Sequence, residues 1–298
     1  MQQDVPEKYQ PSNEIRSNQR YAAIEGSFDN HKIFLKYPID ERLKNKLPVE
    51  AAGLEAMKAL DRNETKFKVP SVIELTDEYI ATEWAEGRPM KEDFIQNDFE
   101  AVSNDLDYLI QLYAYMDEKA LGTDAPTHFN GEAARKLIDE LRELGAERYV
   151  SDSLLESVAQ YIDRTSPSIE TKPTNGDLQP GNIMVSDGLL PTVIDCEGFR
   201  DSWPRHYNVV NFVFNYSVEY PDLVPSLTIF FTNYCKRLNV NPLDNLDTFN
   251  ISAAMRSLQI FKEHLNGDGI INPELEKYVK NTMLNILEGK LFLNSLET

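Results

Sequence analysis

The spacing of apolar residues divides the chain into a β-rich first third and a helical remainder. The runs 21–28 and 32–37, which contain many apolar residues and are separated by a polar turn, predict a β-hairpin. Two further short strands are expected within 69–89. Between these regions, Leu47–Leu60 has apolar residues at helical spacing, with Pro48 in the first turn, and this pattern predicts a helix.

Beyond residue 90 apolar residues recur every three or four positions, which is typical of helices with one buried face. Helices are predicted over 99–118, 130–144, 153–162, 208–218, 222–238, 249–265 and 273–293. The stretch 174–199 interrupts this pattern. Its glycines and proline predict a loop, and the apolar runs 183–185 and 192–194 predict two short strands after it.

Three polar side chains stand out in this interrupting stretch. Asp177 and Asn182 have the spacing of the Asp and Asn in a protein-kinase catalytic loop, where the Asp takes up the acceptor hydroxyl and the Asn binds Mg²⁺. Asp195, at the end of the second strand, adds another hard oxygen ligand for such a metal. The alternative is an acidic hairpin whose carboxylates are merely solvated, but the loop and hairpin context favours phosphoryl transfer.

The same residues resemble the aminoglycoside phosphotransferase and choline kinase-like family. That family's catalytic loop usually reads H-G-D-x-x-x-x-N, and 175–182 reads N-G-D-L-Q-P-G-N. Ile194–Glu197, I-D-C-E, resembles its metal-binding motif. The resemblance implies Asp177 as the catalytic base, Asn182 and Asp195 as Mg²⁺ ligands, and Glu197 as a further candidate ligand.

The resemblance also implies a fold and a division of roles. We expect an α+β, protein-kinase-like bilobal fold, with a small β-rich N-terminal lobe and a larger, mostly helical C-terminal lobe. The N-terminal lobe, 1–87, would bind nucleotide and end in a hinge near 82–87. The C-terminal lobe, 88–298, would carry the catalytic loop and the substrate pocket. Within the hinge, the carbonyl of Glu83 and the amide of Ala85 are the candidates for contact with adenine.

Further nucleotide-binding residues follow from the resemblance. Lys36 lies on a strand that matches the one carrying the family's phosphate-contacting lysine. Glu50 is its candidate partner, because it precedes Leu54 by one helical turn, and Glu55 is the alternative. Residues 17–21, S-N-Q-R-Y, resemble the family's S-N-x-x-Y nucleotide segment, so Ser17 and Asn18 are candidate phosphate contacts.

Three features depart from the family pattern. The segment around Ser17 has no glycine, since the first glycine of the chain is Gly26. Asn175 replaces the histidine before the catalytic aspartate, and Asn208 stands nearest to a helix aspartate that the family often has. Because asparagine both donates and accepts hydrogen bonds, we interpret Asn175 and Asn208 as a rewired brace of the catalytic loop.

Composition and charge limit the possible partners. The 298 residues are 41% hydrophobic and 27% charged, as in soluble globular proteins. The net charge of −19 disfavours nucleic acid and anionic membranes and favours cationic ligands. Two cysteines are too few for a disulfide framework, so a reducing, cytoplasmic location is expected. The first residues lack the basic and apolar regions of a signal peptide, and no run of eighteen apolar residues predicts a membrane span.

These observations predict transfer of the ATP γ-phosphate, with Mg²⁺, to a hydroxyl of a small polar molecule. Trp203 and Tyr207, with Asp201 nearby, are candidates for an aromatic and acidic wall around a cationic acceptor such as an amino sugar or amino alcohol. One alternative is a nucleotide-binding regulator without turnover, and another is a scaffold that binds no Mg·ATP. The intact set of Asp177, Asn182 and Asp195 favours the enzyme over both.

Overall fold

The computed structural model describes residues 6, 8–17, 20–96, 99–119, 129–267 and 273–295. The chain forms two compact units. One comprises 1–105 with 175–200, and the other comprises 106–174 with 201–298. The first is built on an antiparallel sheet and the second on helices, which confirms the expected α+β class. The division into a nucleotide-binding lobe, 1–87, and a lobe that carries the catalytic loop and the substrate pocket, 88–298, stays a prediction.

Five antiparallel strands form the main sheet of the first unit, in the spatial order β1-β2-β3-β5-β4. They are β1 (Gln10–Ser17), β2 (Tyr21–Phe28), β3 (His31–Pro38), β4 (Val72–Leu75) and β5 (Ile80–Glu83). Strand β3 is central, and its Lys36 lies opposite Ala23 of β2 and Ile80 of β5. A lysine in the middle of a sheet is thereby fixed from both sides.

The alternation of side chains along β3 gives the sheet two different faces. Ile33, Leu35 and Tyr37 enter a buried cluster completed by Tyr9, Ala22, Tyr79 and Ala81. Lys36 points to the opposite face and is only 6% exposed. Helix α1 (Leu47–Leu60) buries Leu47, Leu54 and Met57, and with them the carboxylate of Glu50.

The interrupting stretch forms a small sheet in the same unit. Strands β8 (Ile183–Val185) and β9 (Thr192–Val193) form an antiparallel hairpin, and β6 (Arg88–Pro89) pairs with the outer edge of β8. Helix α2 (Lys91–Gln96) follows β6. The hairpin places Asp195 two residues after the end of β9.

Helices dominate the second unit, although α3 contributes residues to both units. They are α3 (Phe99–Lys119), α4 (Glu132–Glu143), α5 (Asp152–Thr165), α6 (Tyr207–Glu219), α7 (Val224–Arg237), α8 (Leu246–Gly267) and α9 (Pro273–Leu287). Strands β7 (Thr171–Thr174) and β10 (Arg200–Pro204) pair with each other. Buried aromatic rings fill the helical core, for example Phe212 against Phe230 and Phe231 against Phe249. In the described part of the chain, no helix has the length and apolar character needed to cross a membrane.

A pair of carboxyl groups lies beside β6. Asp93 of α2 accepts hydrogen bonds from Arg88, and Asp105 of α3 is hydrogen-bonded to Asp93. Burial, together with the charge and hydrogen bond of Asp93, raises the pKa of Asp105 to about 7, although Arg88 lowers it. Asp105 is therefore protonated in the folded protein at a pH where the unfolded chain has lost that proton.

This pair predicts a pH-dependent stability. Between pH 4 and 7 the folded state binds more protons at Asp105 than the unfolded state, so the contribution of Asp105 is fully present at low pH and is lost as pH rises through about 7. Asp105→Asn stays neutral, so its stability relative to the wild type should rise by about 1–2 kcal/mol from pH 5 to pH 8, a figure reduced for partial exposure. Urea unfolding at both pH values measures this difference. Asp107→Asn, an exposed carboxylate on the same helix, is the control, and parallel pH profiles for Asp105→Asn and the wild type would contradict the prediction.

Candidate active site

Lys36 is the centre of a cluster of buried and half-buried charges. Its Nζ lies 2.8 Å from Glu50 Oε2, 3.2 Å from Asp195 Oδ1 and 3.7 Å from Glu197 Oε2. Glu55, the alternative partner, is exposed on α1. The strand and the helix thus each bring one member to the same point, and the segment after β9 brings two. What these residues do toward a nucleotide stays a prediction.

Burial and charge shift the pKa values in this cluster. Burial alone would lower the pKa of Lys36, but the carboxylates of Glu50, Asp195 and Glu197 raise it, so the ammonium keeps its charge. Burial and the negative charges of Asp195 and Glu197 raise the pKa of Glu50 to about 7, although the charge and hydrogen bond of Lys36 lower it. The Lys36 ammonium therefore keeps its positive charge and is held by the surrounding carboxylates.

Glu197 is bound by the start of β2. Arg20 Nη2 lies 2.7 Å from Glu197 Oε1, and the Tyr21 hydroxyl donates a 2.7 Å hydrogen bond to Oε2. Burial would raise the pKa of Glu197, but Lys36, the Tyr21 hydroxyl and Arg20 together lower it. Glu197 is consequently an ionised carboxylate facing the same cluster as Asp195.

The predicted catalytic loop is fixed by a buried asparagine. Asn175 is fully buried, its Oδ1 accepts a hydrogen bond from the Asp177 amide at 3.1 Å, and its Nδ2 donates to Cys196 Sγ at 3.2 Å. Asn175 thereby connects the loop to the segment that carries Asp195 and Glu197. Asn208, in the other unit, is buried near the start of α6, and its part in a shared brace stays a prediction.

The carboxylate of Asp177 is oriented from two sides. Gln179 Nε2 donates to Oδ1, and Asn182 Nδ2 donates to Oδ2 at 3.1 Å and to the Asp177 carbonyl at 2.8 Å. These amide contacts orient the carboxylate of Asp177, which is half-buried. An oriented carboxylate of this kind can accept a proton from a hydroxyl at hydrogen-bond distance.

Close backbone contacts hold this loop against the metal-motif segment. Gly176 has φ of +77°, and a Cβ there would lie 2.2 Å from the Gly198 carbonyl oxygen. Asp195 also has a positive φ, +55°, a conformation that aspartate tolerates better than most residues. Both positions are thus set by backbone geometry as well as by side-chain chemistry.

The residues present fit a divalent cation. One carboxylate oxygen from each of Glu50, Asp195 and Glu197 lies within 4.8 Å of the other two. Glu50 is committed to Lys36, whereas the Asp195 side chain is 36% exposed. In the described hydrogen bonds Asn182 uses its Nδ2, which leaves its Oδ1 for a ligand. Oxygen donors of this type suit Mg²⁺, so Asn182, Asp195 and Glu197 would be the residues that hold it.

A cavity of about 280 Å³ opens beside this cluster, within the first unit. Lys36, Glu50, Asn182 and Asp195 line one part of it. Its apolar lining includes the side chains of Ala23, Phe34, Leu54, Pro70, Met184 and Ile194. The cavity therefore combines a charged part with an apolar part, as expected for a ligand with an aromatic ring and a charged tail.

The predicted hinge also lines the cavity, through Thr82, Glu83, Trp84 and Ala85. The Glu83 amide donates to the Ser71 carbonyl and the Trp84 amide to the Lys32 carbonyl, which anchors this segment to the sheet. No hydrogen bond in the described part of the chain uses the Ala85 amide. An unused donor beside a backbone carbonyl can pair with the edge of a base, although the roles of Glu83 and Ala85 remain predictions.

The remaining predicted site residues either lie outside this cluster or have side chains outside the described part of the structure. Ser17 ends β1, but its side chain is not among those described, and Asn18 lies outside the described residues. Trp203 and Tyr207 pack edge to face and are 9% and 2% exposed, and the Tyr207 hydroxyl donates to Gln259. Asp201 lies on β10, and its side chain is not described. Their contact with an acceptor stays a prediction.

Sequence reasoning missed four residues that the structure brings to the site: Arg20, Tyr21, Gln179 and Gly53. Tyr21 and Gln179 lie inside the motifs already quoted, but the sequence does not predict that they hydrogen-bond to Glu197 and Asp177. Gly53 had a weak signal, because a glycine in the middle of a helix is unfavourable unless close packing requires it. Arg20 had none, since an arginine before a strand is ordinary.

Gly53 lets α1 approach the metal-motif segment. A Cβ at this position would lie 2.7 Å from the Cys196 carbonyl oxygen and from the Cβ atoms of Cys196 and Phe199. Since Glu50 lies one turn away on the same helix, Gly53→Ala should displace Glu50 from Lys36. We expect stability to fall by about 1–3 kcal/mol, although alanine is the better helix former, and turnover to fall about tenfold to a hundredfold. Thermal unfolding and phosphotransfer assays measure these effects, with the exposed Glu55→Ala as the control. An unchanged or stabilised Gly53→Ala would show that the close packing is unimportant.

Comparison with known proteins agrees with this geometry. The sequence profile of the phosphotransferase enzyme family matches residues 9–219. No curated protein matches the sequence.

Solved structures show the same fold at low sequence identity. A thermostable mutant of aminoglycoside phosphotransferase APH(4)-Ia, in a ternary complex with AMP-PNP and hygromycin B, is 12% identical, with 94% of each chain covered and a TM-score of 0.60. Choline kinase LicA from Streptococcus pneumoniae is 12% identical, with 94% of this chain and 92% of that chain covered and a TM-score of 0.56. Macrolide 2'-phosphotransferase MphH from Brachybacterium faecium is 15% identical, with 93% and 92% covered and a TM-score of 0.53.

These similarities confirm the predicted protein-kinase-like fold, and the family profile covers well over half of the chain, including the cavity and the catalytic loop. The protein therefore belongs to the phosphotransferase enzyme family.

Proposed function

We propose that the protein transfers the γ-phosphate of ATP, with Mg²⁺, to a hydroxyl of a small, polar and cationic acceptor. The observation that carries the proposal is the cavity that has Lys36, Asn182 and Asp195 in its lining together with the hinge residues. Such an arrangement fits a nucleotide whose base lies against the hinge and whose phosphates lie against the charged cluster.

In this proposal Lys36 neutralises phosphate charge, and Glu50 holds the lysine in place. The ion pair at 2.8 Å and the burial of both groups restrict the ammonium to one position. A preorganised cation stabilises developing phosphate charge without reorganisation during the reaction. Adenine would pair with the Glu83 carbonyl and the Ala85 amide, the latter unused in the described hydrogen bonds.

Mg²⁺, held by Asn182, Asp195 and Glu197, would supply charge neutralisation for the transferring phosphate. Asp177 acts on the acceptor. Its carboxylate is oriented by Gln179 and Asn182, so it can position the acceptor hydroxyl and take its proton. Asn182 thus links the base to the metal site, because its amide nitrogen contacts Asp177 while its oxygen remains for the cation.

Two observations support a small cationic acceptor. The net charge of −19 attracts cations over a long range and raises their local concentration. The structural neighbours include proteins named as aminoglycoside and macrolide phosphotransferases and as a choline kinase, and one holds hygromycin B. Trp203, Tyr207 and Asp201 remain our candidates for the acceptor pocket. The acidic charge disfavours nucleic acid as a partner, and the two free, buried cysteines agree with a cytoplasmic location.

A binding and turnover screen tests the proposal. Thermal shift with Mg·ATP, Mg·GTP and Mg²⁺ alone identifies the nucleotide, because a ligand that binds only the folded state raises the melting temperature. Phosphate transfer from γ-labelled ATP is then measured with aminoglycosides, macrolides, choline and ethanolamine as acceptors. We expect Mg·ATP to stabilise the protein and at least one amine-bearing alcohol to be phosphorylated. Absence of nucleotide binding would overturn the proposal, and transfer only to neutral acceptors would overturn its cationic part.

A further inference from the structure

Arg20 lies immediately before β2, with a fixed backbone and a half-exposed side chain. Its carbonyl accepts a 2.8 Å hydrogen bond from the Ile39 amide, which ties the backbone to the residue after β3. The guanidinium contacts Glu197 and lies 5.4 Å from the centre of the Tyr21 ring. With its side chain 55% exposed, the guanidinium can turn toward solvent or toward another partner without movement of the strand.

The two cations that contact Glu197 differ in mobility. Lys36 is buried and attracted by three carboxylates, so removing it from them would leave charges uncompensated. The ion pair of Arg20 with Glu197 is partly open to water, and such exposed pairs contribute at most about 1 kcal/mol. Moving the Arg20 guanidinium from Glu197 to another anion therefore costs little free energy, whereas moving the Lys36 ammonium away from its carboxylates costs much more.

The charges around Glu197 provide a driving force for moving the Arg20 guanidinium from Glu197 to phosphate. The cluster has two cations, Lys36 and Arg20, for the carboxylates of Glu50, Asp195 and Glu197. A divalent cation on Asp195 and Glu197 repels the guanidinium, and the phosphates of a nucleotide attract it. Arg20 thus lies beside Glu197 at a position where the positive charge of a bound metal would compete with the guanidinium.

The sequence provides a reason for a cation here. Residues 1–25 contain no glycine, so the segment before β2 offers no glycine-rich loop whose backbone amides could closely approach phosphates. A guanidinium, with five donors in a planar fork, binds phosphate oxygens in pairs and can replace such amides.

We infer that Arg20 is a phosphate-binding residue of this enzyme, held by Glu197 until metal and nucleotide arrive and then transferred to the nucleotide phosphates. The inference rests on the proposed function, and it adds a phosphate-binding cation next to a segment that has no glycine. The ion pair between Arg20 and Glu197 is the resting state of this exchange.

The exchange has consequences of opposite sign, which separate it from a structural role. Loss of Arg20 removes a contact to phosphate, so the affinity for Mg·ATP and Mg·ADP falls. It also removes the competitor for Glu197, so a divalent cation binds more tightly in the absence of nucleotide. If Arg20 merely kept Glu197 in position, its loss would weaken the binding of both the nucleotide and the cation.

Calorimetry with Arg20→Met tests the inference on the full-length protein. Titrations use Mg·ATP, Mg·ADP and adenosine, and Mn²⁺ alone serves as the metal probe. We expect nucleotide affinity to fall about tenfold to a hundredfold, the scale of a charged hydrogen bond, with adenosine affinity unchanged and Mn²⁺ affinity raised severalfold. Arg42→Met is the matched control, because Arg42 is 89% exposed and its described ion pair is with Asp40 alone.

Two companion variants complete the experiment. Arg20→Lys keeps the charge and should recover part of the nucleotide affinity, and it replaces Arg20→Met should that variant not fold. Tyr21→Phe loses the hydrogen bond to Glu197 and keeps Arg20, so Mg·ADP affinity should fall less than in Arg20→Met. Wild-type nucleotide affinity in Arg20→Met, or weaker Mn²⁺ binding, would overturn the inference and leave the proposed function standing. A wild-type protein that binds no Mg·ATP would overturn the proposed function itself, and this inference with it.

Discussion

Asp195→Asn is expected to abolish turnover and to remove the Mg²⁺-dependent part of ATP binding. Asp195 lies 3.2 Å from Lys36 and is the most exposed carboxylate of the cluster, so it is the member best placed to hold a hard cation. The substitution keeps shape, and asparagine tolerates the φ of +55° at this position, so the backbone should be retained. What is lost is the charge. We expect a decrease in turnover of at least about a hundredfold, as for other losses of transition-state charge stabilisation.

The control for Asp195→Asn is Asp187→Asn, an exposed aspartate in the turn of the same hairpin. Calorimetry compares ATP affinity with and without Mg²⁺, and the phosphotransfer assay is run at limiting Mg²⁺. Wild-type turnover of Asp195→Asn under those conditions would remove Asp195 from the metal site. Loss of the folded state, seen by circular dichroism, would instead show that the charge of Asp195 is needed to balance Lys36.

The helical part of the fold was predictable because its helices carry strong apolar periodicity. The predicted helix over 130–144 corresponds to α4 (Glu132–Glu143), and the one over 208–218 to α6 (Tyr207–Glu219). The ends were less predictable. The helix predicted over 153–162 begins one residue earlier, at Asp152, and its cap is Ser151, which accepts a hydrogen bond from the Leu154 amide. Ser153 was an equally good candidate by sequence, and only the tertiary path of the chain decides between them.

Strands with polar sequences were not predictable. Strand β1 (Gln10–Ser17) has little apolar alternation, and its place at the edge of the sheet follows from pairing with β2. The short strands β7 and β10 pair although residues 175–199, which contain the catalytic loop and the hairpin, lie between them in sequence. No local pattern records such a long-range pairing.

Within the site, the sequence predicted which residues take part better than it predicted the contacts between them. The spacing of Asp177, Asn182 and Asp195 is a local property, and so it can be recognised in one sequence. The contacts of Arg20 with Glu197, and of Gly53 with Cys196, join segments far apart in the chain. Those contacts depend on how α1 and β2 pack on the metal-motif segment, which requires the whole fold.

Asp177→Asn should separate nucleotide binding from chemistry. In the proposed function Asp177 acts on the acceptor hydroxyl, and no nucleotide contact is assigned to it. The substitution keeps size and removes the negative charge that takes up the proton. Mg·ATP affinity should therefore stay within about twofold of the wild type, whereas the rate of phosphate transfer should fall by about a hundredfold or more.

The contacts of Asp177 call for a second variant beside this one. Gln179 and Asn182 donate amide hydrogens to the two carboxylate oxygens, and an asparagine would present its own NH₂ group to one of them. Asp177→Ala removes that repulsion, so both variants should share the loss of rate if the missing base is its cause. Asp77→Asn, an exposed aspartate in the turn between β4 and β5, controls for the change in net charge. Parallel loss of ATP affinity and activity in both Asp177 variants would make Asp177 a nucleotide-binding or structural residue, whereas rate loss in Asp177→Asn alone would point to the displaced amides.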